Sequence, residues 1–575
     1  MRSVRRISFI LALLVIIGMI PLAVAAGVID SQMEKSKNRL LSGSFTVSGE
    51  NTSHMIRPFS DGMSCYLFLP DFTRSICFSF DAPGVQIDGK EYRSGDELEL
   101  EKPEGIHSFS FFDENGENFE NENIEFILSG DIPTVYIDSG SGQYVKNEKK
   151  NAKDYCRIEI VNPDGTLEYR SINSWSDSIR GRGNSTWQGA AYDYTPKNPY
   201  NLYLGSPADL FGMGASTQWV LLANAYDASN IRNRFFYDYA AEAGLEFSPE
   251  SMFADVYIDD EYRGVYLLSE KVQVGEGRVD IGNNGILFNM EIWNRITGKA
   301  NEYTTAHGQS LIREYPEVNS EKLTAYFSER MDEFDRVLFS DFSLEEMRNT
   351  IDIDSWVRMG IIEELSSDYD AWATSQYFYI KPGSDIIYAG PAWDFDYSSG
   401  NRLNGYYPEK SALVNNLVFK CDTSHTVFSE LWFSKLMQNR DFYDRVCEVF
   451  KDEVYPGFAD NLNDAVDMYA VQLGNSQRMN SIRWGLNMND SDNFKDYMLK
   501  RLEFLKRIWI DNEPYYAVTF KDTGISMAYF KDEVCTPDVF YYTWYYDRDR
   551  TKPAEPFVPE HDTVLYAEVD IPMPR

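Results

Sequence analysis

The sequence holds no Gly-x-x-x-x-Gly-Lys-[Ser/Thr] loop, no Gly-x-Ser-x-Gly elbow and no His-Glu-x-x-His pair. Three familiar routes to nucleotide, ester and zinc-dependent peptide hydrolysis therefore lack their signatures. Histidine is scarce: five residues in 575, His54, His107, His307, His425 and His561, too scattered to form a site and read here as surface or loop positions. Six cysteines, none spaced Cys-x-x-Cys, argue against a zinc centre and against a disulfide framework, although Cys65 and Cys77 are close enough to form one local bridge in an oxidising compartment. Positive charge is also short. Against 90 Asp and Glu stand 54 Lys and Arg, a net charge of -36, which repels polyanions and removes nucleic acid as a partner. The same acidity gives solubility in an exposed location. What chemistry there is must rest on carboxylates, lysine and arginine.

Only one long apolar run is present. "MRSVRRISFILALLVIIGMIPLAVAAG" has Arg2, Arg5 and Arg6, an apolar stretch from Ile7, and Ala23-Val24-Ala25 after Pro21. It reads as a secretory signal over residues 1–26, with an uncleaved membrane anchor as the alternative. Either places the bulk of the chain at the cell surface or outside the cell. Residues 27–130 alternate short apolar runs such as "CYLFLP" and "SICFSF" with turn signals such as "DAPG", "IDGK" and "DENGEN", the pattern of a small antiparallel β-sandwich. Strands continue to about Leu204, including a hairpin around Asn162-Pro163-Asp164-Gly165. A helix is expected from near Asn230 to a stop at Gly244, and a strand hairpin follows in "FADVYIDDEYRGVYLLSEKV". From Ser320 the periodicity is mostly helical, and from about Glu513 short strands return. The order is α+β.

The densest carboxylate group lies in "EELSSDYDAWATSQYFYIKPGSDIIYAGPAWDFDYSSGN". A helix ends near Ser366, Asp368 and Asp370 follow in a loop, and a strand pair leads to Asp394 and Asp396. In an extended segment these last two share a side, and the hairpin returns them toward the Asp370 loop. This resembles the order in a protein kinase, in which a loop Asp takes the acceptor hydroxyl's proton and a later Asp holds Mg²⁺ on the phosphates. Mg²⁺ takes hard oxygen ligands and few protein carboxylates, so it suits the pattern better than zinc or copper. The plainer alternative makes Asp394 and Asp396 caps of a turn. Upstream, "SIRGRGNSTWQG" is either a loop corner or a phosphate cradle.

Read together, "IRGRGNSTW", "QWVLLANAYDASNIRN", "DEYRGVYLLSEKV", "DAWATSQYFYIKP" and "GPAWDFDYSSGN" resemble, in order and spacing, the spore-coat protein H (CotH) kinase-like family from about Ile132 to Asp511. The resemblance implies an atypical protein-kinase-like fold, a secreted or spore-surface setting, and phosphate transfer from ATP to protein serines. It implies Asp370 as the catalytic Asp, Asp394 as the metal Asp of Trp-Asp-Phe-Asp with Asp396 beside it, and Lys197 as the nucleotide-phosphate lysine with Glu270 as its candidate partner. Arg180, Arg182 and Asn184 fill the glycine-loop positions. Asn224, Asp227 and Arg232 follow, although Asp227 and Asn230 are equally fitted to cap the helix that starts there. The implied cofactors are ATP and Mg²⁺.

Two departures from the family pattern stand out. Its second lysine is Asn198 here, and Ser375 occupies the place where a kinase has its second metal ligand, Asn. A pseudokinase is thus an alternative. The tail, with "AVTF", Phe540, "TWYYDRDRTKPAEPF" and "DTVLYAEV", resembles a Listeria-Bacteroides surface repeat in which the usual Gly before Trp is Thr543. The expected architecture is α+β, a kinase-like domain over 131–512 flanked by small all-β modules at 27–130 and 513–575. The expected function is phosphate transfer from Mg-ATP to a Ser or Thr hydroxyl of an extracellular or surface protein. The competing reading is a non-catalytic adhesin or a polysaccharide-binding surface protein, since a glycosidase also needs two carboxylates. No nucleic-acid partner is expected, and membrane contact only through an uncleaved N-terminus.

Overall fold

The computed structural model describes residues 39–139, 153–183, 186–187, 197–292, 295–318, 320–368, 374–401, 413–420, 432–485, 490–521, 523, 525–539 and 542–569. The expected signal segment, residues 1–26, and Asn184 and Asp370 lie outside them. Among the described residues no helix is long and apolar enough to cross a membrane. The chain divides into two compact units between Leu128 and Ser129.

In the first unit, a three-stranded sheet and a six-stranded sheet hold a core rich in phenylalanine. Phe45 stacks on Phe78 at 4.3 Å, and the edges of Phe109 and Phe126 meet these rings at 5.5 and 5.6 Å. The alternation seen in the sequence produces this directly, since every second residue of Ser44–Ser48 and Ser75–Ser79 is buried. One pairing departs from the antiparallel expectation: Cys65–Leu69 runs parallel to Asn118–Leu128. Cys65 and Cys77 do not form the local bridge. They lie on different sheets, both as free thiols, and Cys77 falls between the inward-facing Ile76 and Phe78. His107 is likewise not a surface residue. It is 6% exposed and its Nδ1 lies 2.6 Å from Asp88.

The second unit begins with strands β1 (Thr134–Asp138), β2 (Asp154–Val161), β3 (Leu167–Arg170), β4 (Asp177–Gly181), β5 (Tyr200–Asp209) and β6 (Ala215–Leu222). Helix α1 (Arg232–Glu242) and the hairpin β7 (Ser251–Ile258) and β8 (Glu261–Glu270) follow. The sheet order is β1-β7-β8-β6-β5-β4-β2-β3, and β1 also pairs with β2. The sheet therefore closes on itself through β1 and β2, and among the described residues only the short β3, paired with β2 alone, keeps a free edge. Ile158, Ile179, Leu202, Trp219, Val256 and Leu268 fill the inside. Val220, Leu222, Val265 and Leu267, one residue out of phase, face outward into the core shared with the helices.

Strands β9 (Ile286–Met290), β10 (Glu302–Thr304), β11 (Ser310–Tyr315), β12 (Tyr377–Ile380) and β13 (Ile387–Ala389) form a five-stranded sheet in the order β10-β11-β9-β12-β13. Helices α2 (Glu321–Leu338), capped by Ser320, and α3 (Ile353–Ser366), capped by Asp352, pack with it around Trp356 and Phe378. Helices α4 (Arg440–Val449), α5 (Tyr455–Trp484) and α6 (Asp490–Trp509) complete the helical side. The tail strands Tyr515–Phe520, Ile525–Phe530, Trp544–Tyr545 and Thr563–Ala567 make a four-stranded sheet. Its Phe530 ring packs at 5.9 Å on Phe504 of α6.

Helix α5 grips the barrel where it breaks. Gly474 leaves helical geometry at φ 45, ψ -128, and there Ser476 Oγ accepts from Gly130 N at 2.8 Å and donates to the buried Asp255 at 2.6 Å. A Cβ on Gly130 would lie 2.1 Å from the Leu473 carbonyl oxygen. Gly130→Ala is expected to destabilise by about 3 kcal/mol, because backbone blocks the methyl. Gly457→Ala in the same helix, with only Asn461 Nδ2 at 4.0 Å, should be neutral or stabilising by up to about 1 kcal/mol. Denaturant midpoints of the two variants check this.

Candidate active site

The Trp393-Asp394-Phe395-Asp396 segment follows β13 and turns sharply. Asp394 has φ 77 and so is left-handed, not extended. The strict same-side relation expected for Asp394 and Asp396 does not hold, because a positive φ breaks strand alternation. Backbone of this kind in a non-glycine residue costs of order 1–3 kcal/mol and persists only where neighbours fix it. Here they do. Phe395 N donates to Asn233 Oδ1 at 2.7 Å, and the Phe395 ring stacks on Phe236 at 4.6 Å. Asn401 Nδ2 donates to the Asp396 carbonyl at 2.6 Å and to the Tyr226 carbonyl at 2.5 Å.

The supports come from "NAYDASNIRN". Asn233 Nδ2 donates to Asn224 Oδ1 at 3.0 Å, and Asn224 Nδ2 to the Asn230 carbonyl at 2.8 Å. Asp227 accepts from Arg232 N at 2.9 Å, so it does satisfy the start of α1, and it also pairs with the Arg232 guanidinium at 2.5 Å. That guanidinium, wholly buried, reaches the Ser398 carbonyl at 3.2 Å, the Ser399 carbonyl at 3.3 Å and Asp490 at 2.6 Å. The polar residues of this motif therefore hold the aspartate loop in place. Asn233 and Asn401 were not singled out from the sequence; the signal available was the density of Asn, Asp and Arg at a helix start, where unpaired backbone groups collect.

Asp394 faces Ser375, whose Oγ donates to Asp394 Oδ2 at 2.8 Å. The residue at the position of a kinase's Asn is thus brought onto Asp394. Asp394 and Asp396 are both half-buried. The donor set is oxygen throughout, and among the described residues no group of three His, Cys, Asp or Glu gathers. The oxygens of Asp394 and Ser375 suit a hard cation such as Mg²⁺. Behind Ser375, Gln376 Nε2 donates to Glu363 Oε1 at 2.5 Å. Glu363 sits on α3, and burial pushes its carboxyl well above the carboxylate range.

The glycine-loop strand reaches the same place. Arg182 follows β4 and lies 5.5 Å from the Trp393 ring centroid, a ring that also stacks on Tyr237 at 5.5 Å. Arg180 is exposed on β4.

Lys197 and Glu270 fall elsewhere, each with partners of its own. Lys197 is 2% exposed, and its Nζ donates to the Val265 carbonyl at 2.5 Å and to Asn230 Oδ1 at 3.4 Å. Burial drives its pKa from 10.5 down to about 7, opposed by Asp227 and Asp255. Glu270 lies opposite Trp219, whose ring is inside the barrel, and pairs with Arg278 at 3.0 Å. Burial raises the Glu270 pKa to about 7, with Arg278 opposing.

Residues 179–505 match the family model described as CotH kinase protein. The chain belongs to the CotH kinase family. The matched span runs from β4 to α6, so the domain is kinase-like, and Arg182, Lys197, Ser375 and Asp394 all fall within the CotH kinase match. No curated protein matches the chain. Among solved structures, a Helicobacter pylori proinflammatory kinase, CtkA, aligns over 56% of this chain and 94% of that one, at 11% identity with a TM-score of 0.21. That superposition is too loose to transfer any residue.

Lys197 gives a pH signature. Below pH 7 it is charged in both the folded and unfolded states and the full burial cost applies. Between about 7 and 10.5 the unfolded chain binds the extra proton, so stability rises with pH. The unfolding free energy of wild type relative to Lys197→Met should rise across that window. A flat difference, measured by denaturant unfolding from pH 6 to 10, would show a lysine that keeps its charge.

Proposed function

We propose that the protein is an active CotH-type kinase that transfers a phosphoryl group from Mg-ATP to a Ser or Thr hydroxyl of an extracellular or cell-surface protein. The observation that carries this is the meeting of Ser375 Oγ with Asp394 at 2.8 Å, beside the Trp393 ring that Arg182 covers. A left-handed Asp held by Asn233 through its neighbour, with a hydroxyl on its carboxylate and an arginine from the glycine-loop strand alongside, suits a cation-bridged phosphate chain. A turn cap alone would require none of these partners.

Bound Mg²⁺ would neutralise charge on the phosphates, with Asp394 as its principal protein ligand and Ser375 and Asp396 as the neighbouring oxygens. Arg180 and Arg182 orient the phosphate chain by paired N–H donors. Asp370, carried by the resemblance, takes the acceptor hydroxyl's proton. The N-terminal "MRSVRRISFILALLVIIGMIPLAVAAG" supports a secreted or surface setting.

The test is thermal stabilisation by ATP with and without Mg²⁺, on wild type and Asp394→Ala, followed by transfer of labelled phosphate to a co-expressed surface protein. Wild type should be stabilised in a Mg²⁺-dependent way, by about 2.7 kcal/mol at a hundredfold excess over Kd, and Asp394→Ala should lose that dependence. Absence of any nucleotide binding by wild type refutes the kinase and favours the adhesin; binding without transfer favours a pseudokinase.

A further inference from the structure

Three cations share one face of the barrel sheet. Among the described residues, Arg180, Arg182 and Lys271 form no ion pair with any carboxylate, although acids outnumber bases 90 to 54. Strand register puts them on one face. Arg180 lies opposite Asn201, Asn201 opposite Val220 and Val220 opposite Ser269, across β4, β5, β6 and β8. Arg182 and Lys271, each two residues on from a member of that row, share its face. The face is the outer one, because Val220, Leu222 and Leu267 on it join the core that contains Trp393 and Phe395. Arg182 touches Trp393 directly.

Lys271 follows the end of β8, with its Nζ donating to the neutral Gln218 amide oxygen at 3.2 Å. Resting on the kinase reading above, we infer that Lys271, and not Lys197, is the lysine that binds the nucleotide's phosphates, completing a cradle with Arg180 and Arg182. Lys197 is unsuited to that task. Its ammonium is enclosed by the Val265 carbonyl, Asn230 and the Tyr266 ring. Lys271 is only half-buried. Burial lowers its pKa, Glu314 and Glu317 oppose that, and Arg182 and Arg180 add to it. Cations crowded this way on one sheet face repel one another until a polyanion lies between them.

The experiment measures Kd by calorimetry for MgATP, inorganic tripolyphosphate and adenosine, on wild type, Lys271→Met, Lys271→Arg and Lys197→Met. Lys271→Met should weaken MgATP and tripolyphosphate by about tenfold or more and leave adenosine unchanged, while Lys271→Arg stays near wild type. Lys197→Met should shift thermal stability and keep the tripolyphosphate affinity. Unchanged Kd values in Lys271→Met, or a loss of tripolyphosphate binding confined to Lys197→Met, overturn the inference. If Lys271→Met does not fold, retention of affinity by Lys197→Met with a salt-sensitive tripolyphosphate Kd in Lys271→Arg upholds it, and loss in Lys197→Met overturns it. Tripolyphosphate binding by wild type without ATP binding refutes the kinase reading alone; no binding of either refutes both.

Discussion

A buried guanidinium ties this domain together. Arg232 is fully enclosed and answers two carboxylates, Asp227 and Asp490, and two carbonyls, Ser398 and Ser399. Removing one member of such a group leaves the others charged or polar without partners, which costs several kcal/mol. It joins the start of α1, the loop after Asp396 and the first turn of α6 in one contact set. The positions of Asp394, Phe395 and Asp396 follow from that knot, with Asn233 and Asn401 finishing the frame. Three segments far apart in the chain thus become one site.

A second constraint is barrel closure. Once β1 pairs with both β2 and β7, every strand has an inside and an outside. Neighbouring residues on β8 are assigned to opposite environments. Glu270 goes inward to Arg278 and the ring of Trp219, and Lys271 turns to the outer face with Gln218. Carry-over by family pattern gave Glu270 to a lysine. Register sets it opposite Trp219, and the loop after β8 brings Arg278 onto it.

Much of the fold was legible. Alternation marked the first unit's strands, the apolar spacing after Asn230 and the stop at Gly244 marked α1, and Ser320 and Asp352 cap their helices through side chains that compete well for free N–H groups. The aspartate segment was legible through its spacing and its resemblance to the CotH kinase family. The buried His107 was not, because Asp88 reaches it across a strand pair that composition does not reveal. The free state of Cys65 and Cys77 was equally hidden, since sequence proximity says nothing about which sheet each joins.

By itself, then, the sequence determined the class: a mixed helix and sheet order and the CotH kinase family. Tertiary structure decided which side chains meet. It bent Asp394 out of extended geometry, set Ser375 on its carboxylate, enclosed Lys197 under the Val265 carbonyl and put Arg180, Arg182 and Lys271 on one face of the sheet. Those outcomes depend on closure, register and desolvation, which couple residues tens or hundreds of positions apart. Local spacing in the chain carries no record of them.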